Sequence, residues 1–168
     1  MKEIPLTKGF TATVDDADFD SIGGHRWCAL VGKRADGSLR VYAARRKPKA
    51  EGGKFELLHR RLMQPAHGQE VDHIDGNPLN NTRGNMRFAS HRENLLNMRA
   101  RTAEQSSSAF KGVSWYRKDK RWAAKIMAHG RTRHLGMFKD EQQAARAYDA
   151  AAMEMFGEFA KLNFTEGN

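Results

Sequence analysis

The sequence predicts an α+β fold built from small antiparallel sheets. Short apolar runs separated by turn residues fill residues 1–56 and predict an N-terminal β-meander. A hairpin followed by a helix is predicted in the middle, around the turn sequence Asp75-Gly76-Asn77-Pro78. The last third reads as a three-stranded antiparallel sheet packed on one helix, because a helical pattern rich in alanine follows three strand-like runs.

Residues 102–109 are polar, rich in serine and without periodicity, so we expect a linker there. This linker divides the chain into a β-rich region at 1–56, a central motif at 57–101 and a C-terminal module at 110–168. Modules of this size have small cores of their own.

The chain is basic, with 29 Lys and Arg against 20 Asp and Glu, for a net charge of +9. Such an excess opposes compaction and favours an anionic partner, although nucleic acid, a membrane surface and simple solubility all remain open at this point. Residues 111–133 hold eight basic side chains against Asp119 alone. Because solvated charges normally alternate in sign, this segregation indicates a binding face.

Neither a membrane segment nor a secretion signal is expected. The longest apolar run, residues 27–31, is far too short for a span, and the first residues lack the apolar core of a signal peptide. We therefore expect a cytoplasmic protein. Cys28 is the only cysteine, which excludes an internal disulfide and a cysteine zinc cluster, so no structural zinc is expected. We therefore expect ordinary packing to hold the central hairpin, through Leu57, Leu58, Leu62, Met63 and Phe88.

Three short strands are predicted in the first region, at residues 9–14, 25–31 and 39–44. The acidic stretch 15–20 between the first two reads as a loop, and it lacks the glycine and glutamate of a calcium loop. Residues 45–49 form a basic loop for which a solvated turn and a phosphate contact are equally good interpretations.

The central motif combines strands at 70–74 and 85–89 with a helix that starts after Ser90. Ser90 and Glu93 have the spacing of a capping box, which fixes the start of this helix. His59 lies in a preceding amphipathic helix, where packing and a phosphate contact are both possible roles.

Several polar side chains fall where chemistry can occur. Asp72 and His73 are neighbours on a strand, so their side chains diverge, and Asn94 lies in the first turn of the helix. Asp and Asn oxygens suit Mg²⁺, and histidine can take a proton from water near neutral pH. Each residue alone is typical of a turn or a cap, but the whole set in one short span favours a site.

The segment with Asp72-His73-Ile74-Asp75-Gly76-Asn77, Asn80-Asn81, Asn85 and Glu93-Asn94 resembles the HNH nuclease motif, in its phage and intron-encoded homing branch. The resemblance covers residues 57–98 and implies a ββα-metal fold. It implies that His73 is the general base, that Asn85 orients the hairpin and the His73 ring, and that Asp72 and Asn94 hold one Mg²⁺ or Mn²⁺. His91 is the alternative to Asn94, which is preferred on spacing. Arg87 and Arg92 flank the site as candidate phosphate contacts.

In the C-terminal module, strands are predicted at 110–117, 121–127 and 133–138, with a helix from Asp140 to about Phe156. Alternation points Trp122, Ala124 and Ile126 toward the helix. The opposite face is basic and uncovered. A narrow sheet of this kind can enter the major groove of DNA.

This module resembles the ethylene-response-factor (APETALA-type) DNA-binding domain over residues 108–164, through Phe110-Lys111-Gly112-Val113, Leu135-Gly136-Met137-Phe138 and the alanine-rich stretch 144–151. The DNA-contacting positions implied by this resemblance are Lys111, Ser114, Tyr116, Lys125, Met127, Thr132 and His134. Arg121 and Arg133 join them as basic residues of the same sheet.

Together the two resemblances imply an enzyme: a phage- or mobile-element-encoded HNH endonuclease that hydrolyses DNA phosphodiester bonds in a host cell. Double-stranded DNA is the expected partner, a divalent cation the expected cofactor and a monomer the expected state. The alternative is a non-catalytic DNA-binding regulator. An RNA-binding protein, as a third class, shares the charge but not the motifs.

Overall fold

The computed structural model describes residues 1–34, 37–97, 107–128 and 130–164. It divides the chain into two compact units, Met1–Asn94 and Leu95–Asn168. Most of the expected linker lies outside the described residues, and the domain boundaries stay a prediction. Within the described ranges no helix has both the length and the apolar character needed to cross a bilayer.

The first unit is made of short strands and helices. Its elements are β1 (Lys2–Pro5), β2 (Thr11–Val14), α1 (Asp16–Gly23), β3 (Cys28–Lys33), β4 (Leu39–Arg46), β5 (Phe55–Leu57), α2 (Leu58–Met63), β6 (Glu70–His73), β7 (Met86–Ala89) and α3 (His91–Leu96), whose last residues pass the unit boundary. Three antiparallel sheets result, in the orders β1-β2, β3-β4-β5 and β6-β7. The α+β class is confirmed.

The single meander expected for residues 1–56 is wrong in detail, because helix α1 and a separate β1-β2 hairpin precede the β3-β4-β5 meander. The acidic stretch is helical since Asp16 and Asp18 occupy its first turn, where carboxylates complement the helix dipole. Ile22 is fully buried and ties the helix to the core. The acidic stretch has only six residues and is dominated by aspartates, so the sequence shows no helical repeat of apolar residues there.

The core of the first unit contains apolar side chains from the four strands β1 to β4, from α2 and from the central hairpin β6-β7. Leu58 and Leu62 of α2 pack in this core as expected, together with Val71 and Met86 of the hairpin, which were not predicted. Phe88, also expected in this core, is instead 43% exposed. Ordinary packing therefore supports the hairpin from one side.

The long loop between β6 and β7 is held by the N-terminal region. The Thr13 backbone N–H donates to the Leu79 carbonyl, and the Asn81 N–H donates to the Thr13 carbonyl, each at 2.8 Å. The Arg83 guanidinium binds both oxygens of Asp18 at 2.7 and 2.8 Å, while the Arg83 N–H donates to Asp15 at 2.8 Å. Residues far apart in sequence thus clasp this loop.

Arg83→Ala should lower the free energy of unfolding by about 1–3 kcal/mol, because the Asp18 side chain is only 9% exposed and would lose its bidentate partner. Urea denaturation at neutral pH measures the change. The exposed Arg26 supplies the matched control, Arg26→Ala. Equal stability of the two variants would show that the clasp contributes nothing.

The second unit contains β8 (Val113–Tyr116), β9 (Arg121–Ala128), β10 (Arg131–Phe138) and α4 (Glu141–Phe156). The strand order is β10-β9-β8, antiparallel throughout, as predicted. Asp140 caps α4 by accepting from the Gln143 N–H at 2.9 Å, and Gly157 ends the helix.

Alanines let α4 lie close to the sheet. Ala144, Ala145 and Ala152 are fully buried against strand residues such as Ala124 and Ile126. Gly112 has a positive φ, and a Cβ there would lie 2.0 Å from the Tyr148 ring, so the sequence needs glycine at this position. One face of the sheet is covered in this way.

Candidate active site and nucleic-acid interface

Strand β6 sends Asp72 and His73 to opposite sides of the hairpin. Asp72 pairs with Arg87 and His73 with Met86 in the antiparallel register. Glu70, two residues before Asp72, lies on the same face as Asp72. Both candidate residues are largely buried, with 4% exposure for Asp72 and 6% for His73.

The Asp72 carboxylate forms an ion pair with Arg87. Its Oδ2 atom accepts from Nε and Nη2 of Arg87 at 2.9 and 2.8 Å. Arg87 was expected to contact phosphate, and the structure places its guanidinium on Asp72. A cation at this carboxylate would have to share it with Arg87.

Glu70 contacts both Asn94 and His91, the two alternative candidates for the second metal ligand. Asn94 Nδ2 donates to one Glu70 oxygen at 2.5 Å, and His91 Nδ1 lies 2.8 Å from the other. The hydrogen bond from Asn94, followed by the one from His91, holds the pKa of Glu70 below its usual value. Sequence reasoning missed Glu70, whose signal was its i, i+2 spacing from Asp72.

The donors present fit a hard divalent cation. Asp72 offers carboxylate oxygen, and Asn94 turns its nitrogen toward Glu70, so that the amide oxygen is the Asn94 atom that could bind a metal. Oxygen donors in this small number suit Mg²⁺ or Mn²⁺, which keep several waters. No group of three or more His, Cys, Asp or Glu suited to a metal occurs within the described ranges.

His73 packs against a second histidine. Its ring meets the His59 ring edge-on, with centroids 5.2 Å apart, and His59 in turn lies 5.4 Å from the Tyr42 ring. Burial lowers the pKa of His73, while a hydrogen bond with Asn81 and the charges of Asp75 and Asp72 oppose the shift. His73 is therefore neutral at pH 7, which is the form a general base needs.

His59 is a packing residue of α2 in this structure. It is 5% exposed, and its Nδ1 atom is buried without a hydrogen-bond partner. Burial, with smaller contributions from His73 and Arg60, lowers the pKa of His59 to about 3.

This lowered pKa predicts acid sensitivity. Below pH 6.5 the unfolded chain binds a proton at His59 that the folded chain does not, so stability falls by up to about 1.4 kcal/mol per pH unit as pH drops toward the folded pKa. His59→Leu should flatten this fall in urea denaturation between pH 6.5 and 4. Replacement of the exposed His67 by alanine should leave this loss of stability unchanged. Equal pH dependence of stability for the wild type, His59→Leu and His67→Ala would contradict the lowered pKa of His59.

Asn85 fastens the loop that follows His73. Its Nδ2 atom donates to Asp75 Oδ1 and to the Asn80 carbonyl, both at 2.9 Å, and its Oδ1 accepts from the Asp75 N–H at 3.0 Å. Asp75 also accepts from Asn80 Nδ2 at 2.9 Å. The side chain of Asn85 thus fixes the shape of the hairpin end, while a direct effect on the His73 ring stays a prediction.

In the second unit, the register gathers most of the expected DNA contacts on one face. Tyr116 pairs with Arg121, Thr132 with Met127, and His134 with Lys125. By alternation, Ser114 and these six residues share the face opposite α4. All but Ser114 are exposed.

Three other candidates lie elsewhere. Arg133 pairs with Ile126 and so belongs to the α4 side of the sheet. Lys111 precedes β8, and its amine donates to the Leu96 carbonyl of the same unit at 2.6 Å. Burial, and then the charge of Lys161, lowers the pKa of Lys111 to about 8. Arg92 is an exposed residue of α3.

Comparison with known proteins agrees with this architecture. The family described as HNH endonuclease matches residues 56–96. The chain belongs to this HNH endonuclease family, and a C-terminal part of it is similar to ethylene-response-factor (APETALA-type) domains.

Relatives of both parts are known. An uncharacterized HNH endonuclease of Acanthamoeba polyphaga mimivirus is 40% identical over 93 residues, which are 55% of this chain and 46% of the relative. Protein 3.8 of Escherichia phage T7 is 34% identical over 95 residues, 56% of this chain and 76% of that protein. An ethylene-responsive transcription factor of Arabidopsis thaliana is 47% identical over 68 residues, 39% of this chain and 26% of the factor. The chain thus spans about half the length of the mimivirus protein.

Proposed function

We propose that this protein is a divalent-metal-dependent DNA endonuclease that hydrolyses phosphodiester bonds with His73 as its general base. The observation that carries the proposal is the end of β6, where Asp72 shares a face with Glu70, the partner of Asn94. The neighbouring His73 is held, buried and neutral, on the other side. Metal-binding and proton-accepting groups are thereby separated.

In the proposed reaction, His73 accepts a proton from water as the water oxygen attacks phosphorus. The bond from phosphorus to the 3′ oxygen breaks, and this oxygen takes a proton from a solvent water, giving 5′-phosphate and 3′-hydroxyl ends. Asn85 keeps the loop after His73 in place. A Mg²⁺ or Mn²⁺ ion held by Asp72 and Asn94, or by His91 in place of Asn94, would stabilise the charge that develops on the phosphate. Arg92, exposed on α3, would contact the DNA backbone.

Duplex DNA is the proposed substrate, and the uncovered face of β8-β9-β10 is the proposed DNA-binding surface. The face combines Arg121 and Lys125 with Tyr116 and Thr132, a mixture suited to phosphate and base-edge contacts. Lys111 and Arg133 are proposed as backbone contacts beside it. The viral and phage sources of two relatives favour a phage or mobile-element origin, and we further propose that the protein acts as a monomer in the host cytoplasm.

A non-catalytic DNA-binding regulator is the second candidate. The ion pair between Asp72 and Arg87 favours it, because it occupies a carboxylate that catalysis needs. Incubation of the purified protein with supercoiled plasmid distinguishes the two. The nuclease should give nicked or linear DNA with Mg²⁺ or Mn²⁺ and none with EDTA. DNA binding without cleavage under any metal condition would support the regulator.

A further inference from the structure

The amide of Asn94 has two ends of nearly equal size and opposite chemistry. Its oxygen can bind a cation, whereas its NH₂ group cannot, and rotation by half a turn exchanges them. A neighbour that fixes which end faces the metal therefore prepares an Asn side chain for metal binding and strengthens it.

Glu70 has the properties of such a neighbour. An ionised carboxylate only accepts hydrogen bonds, so it selects the NH₂ end of Asn94, which lies 2.5 Å away. The other Glu70 oxygen lies 2.8 Å from His91 Nδ1, and the backbone of Glu70 is fixed in β6 opposite Ala89. The carboxylate thus has little freedom to leave Asn94.

We propose that Glu70 is a positioning residue that turns the Asn94 amide so that Oδ1 faces a divalent cation shared with Asp72. This inference rests on the metal site of the proposed function. The competing role for Glu70 is direct coordination of the cation, which would place its charge on the metal and make its effect independent of the residue at position 94.

Two substitutions separate these roles. Glu70→Gln keeps the shape but adds a donor, so that either end of Asn94 can face position 70. Asn94→Asp makes both ends oxygen, so that orientation no longer matters. Asn94→Asp alone places two carboxylates side by side, at positions 70 and 94, and they repel each other. In the double variant the new amide at position 70 can instead donate to the carboxylate at position 94. The exposed Glu3 provides the control for a lost negative charge, Glu3→Gln.

The electron paramagnetic resonance signal of free Mn²⁺ measures the affinity of the full chain for Mn²⁺. This measurement does not depend on DNA cleavage. Glu70→Gln should weaken Mn²⁺ binding about 10-fold or more in the wild-type background. The same substitution should cost at least threefold less in the Asn94→Asp background. The thermal unfolding midpoint checks that each variant is folded.

Losses in the two backgrounds that agree within threefold would overturn the positioning role, as would no loss beyond that of Glu3→Gln in the wild-type background. Both results leave the metal site intact if the wild-type chain binds Mn²⁺. Absence of Mn²⁺ binding by the wild-type chain would overturn the metal site of the proposed function and this inference with it.

Discussion

His73→Ala should reduce the rate of DNA cleavage by about 10²–10⁴-fold while DNA affinity stays within twofold of wild type. The reduction is expected because the neighbouring imidazole, that of His59, is buried in the packing of α2 and is a poor replacement, since burial lowers its pKa to about 3. Affinity should persist because a residue that is 6% exposed contributes little to a DNA-binding surface.

Single-turnover cleavage and fluorescence anisotropy with the same labelled duplex measure both quantities. Because His73 is buried, His73→Asn is measured beside it as a variant of smaller volume change, and thermal unfolding checks both. The exposed His67 provides the matched control, His67→Ala. Wild-type cleavage by His73→Ala would exclude this residue as the base.

Neutralising the uncovered sheet face should produce the largest loss of DNA affinity. Replacement of Arg121 and Lys125 by glutamine removes two phosphate-neutralising charges, so the slope of log K against log salt should become shallower by about 1.8. Binding at physiological salt should weaken by about 30-fold or more if each residue also contacts a base edge. Exposed strand residues of this kind have little effect on stability.

The control for this face removes two charges from other surfaces of the same unit. Lys139 follows β10 and Arg146 lies on α4, and both are exposed. Lys139→Gln with Arg146→Gln should leave the salt slope close to wild type. Equal slopes for the two double variants would mean that the sheet face has no special role in binding DNA.

The sequence predicts well those elements that depend on local chemistry. Turn residues after His73, the capping box at Ser90 and the Asp140 cap are all short-range signals, and the hairpin and both following helices form where they indicate. Alternation also assigned the free face of the C-terminal sheet correctly, up to the register shift after His134. Arg133 falls on the other side because it lies between Thr132 and His134, whose side chains face away from α4.

Features that depend on distant residues were not predicted. The clasp of Arg83 on Asp18 joins positions 65 residues apart, and no periodicity reveals it. Phe88 was expected in the core because it is apolar, yet it lines a shallow pocket with Ala66 and Ser90. The spacing of Asp72, His73 and Asn94 indicated a site, whereas the occupation of Asp72 by Arg87 and of Asn94 by Glu70 follows only from the folded arrangement.

Mapping of the product ends on both strands of one duplex tests the central claim most directly. Hydrolysis with water activated by His73 predicts metal-dependent cuts at discrete positions, each with a 5′-phosphate and a 3′-hydroxyl. Ligation of the products by DNA ligase without end repair would report these ends. Products with 3′-phosphate ends, or no products with Mg²⁺ or Mn²⁺ under conditions where the protein binds the duplex, would contradict the account.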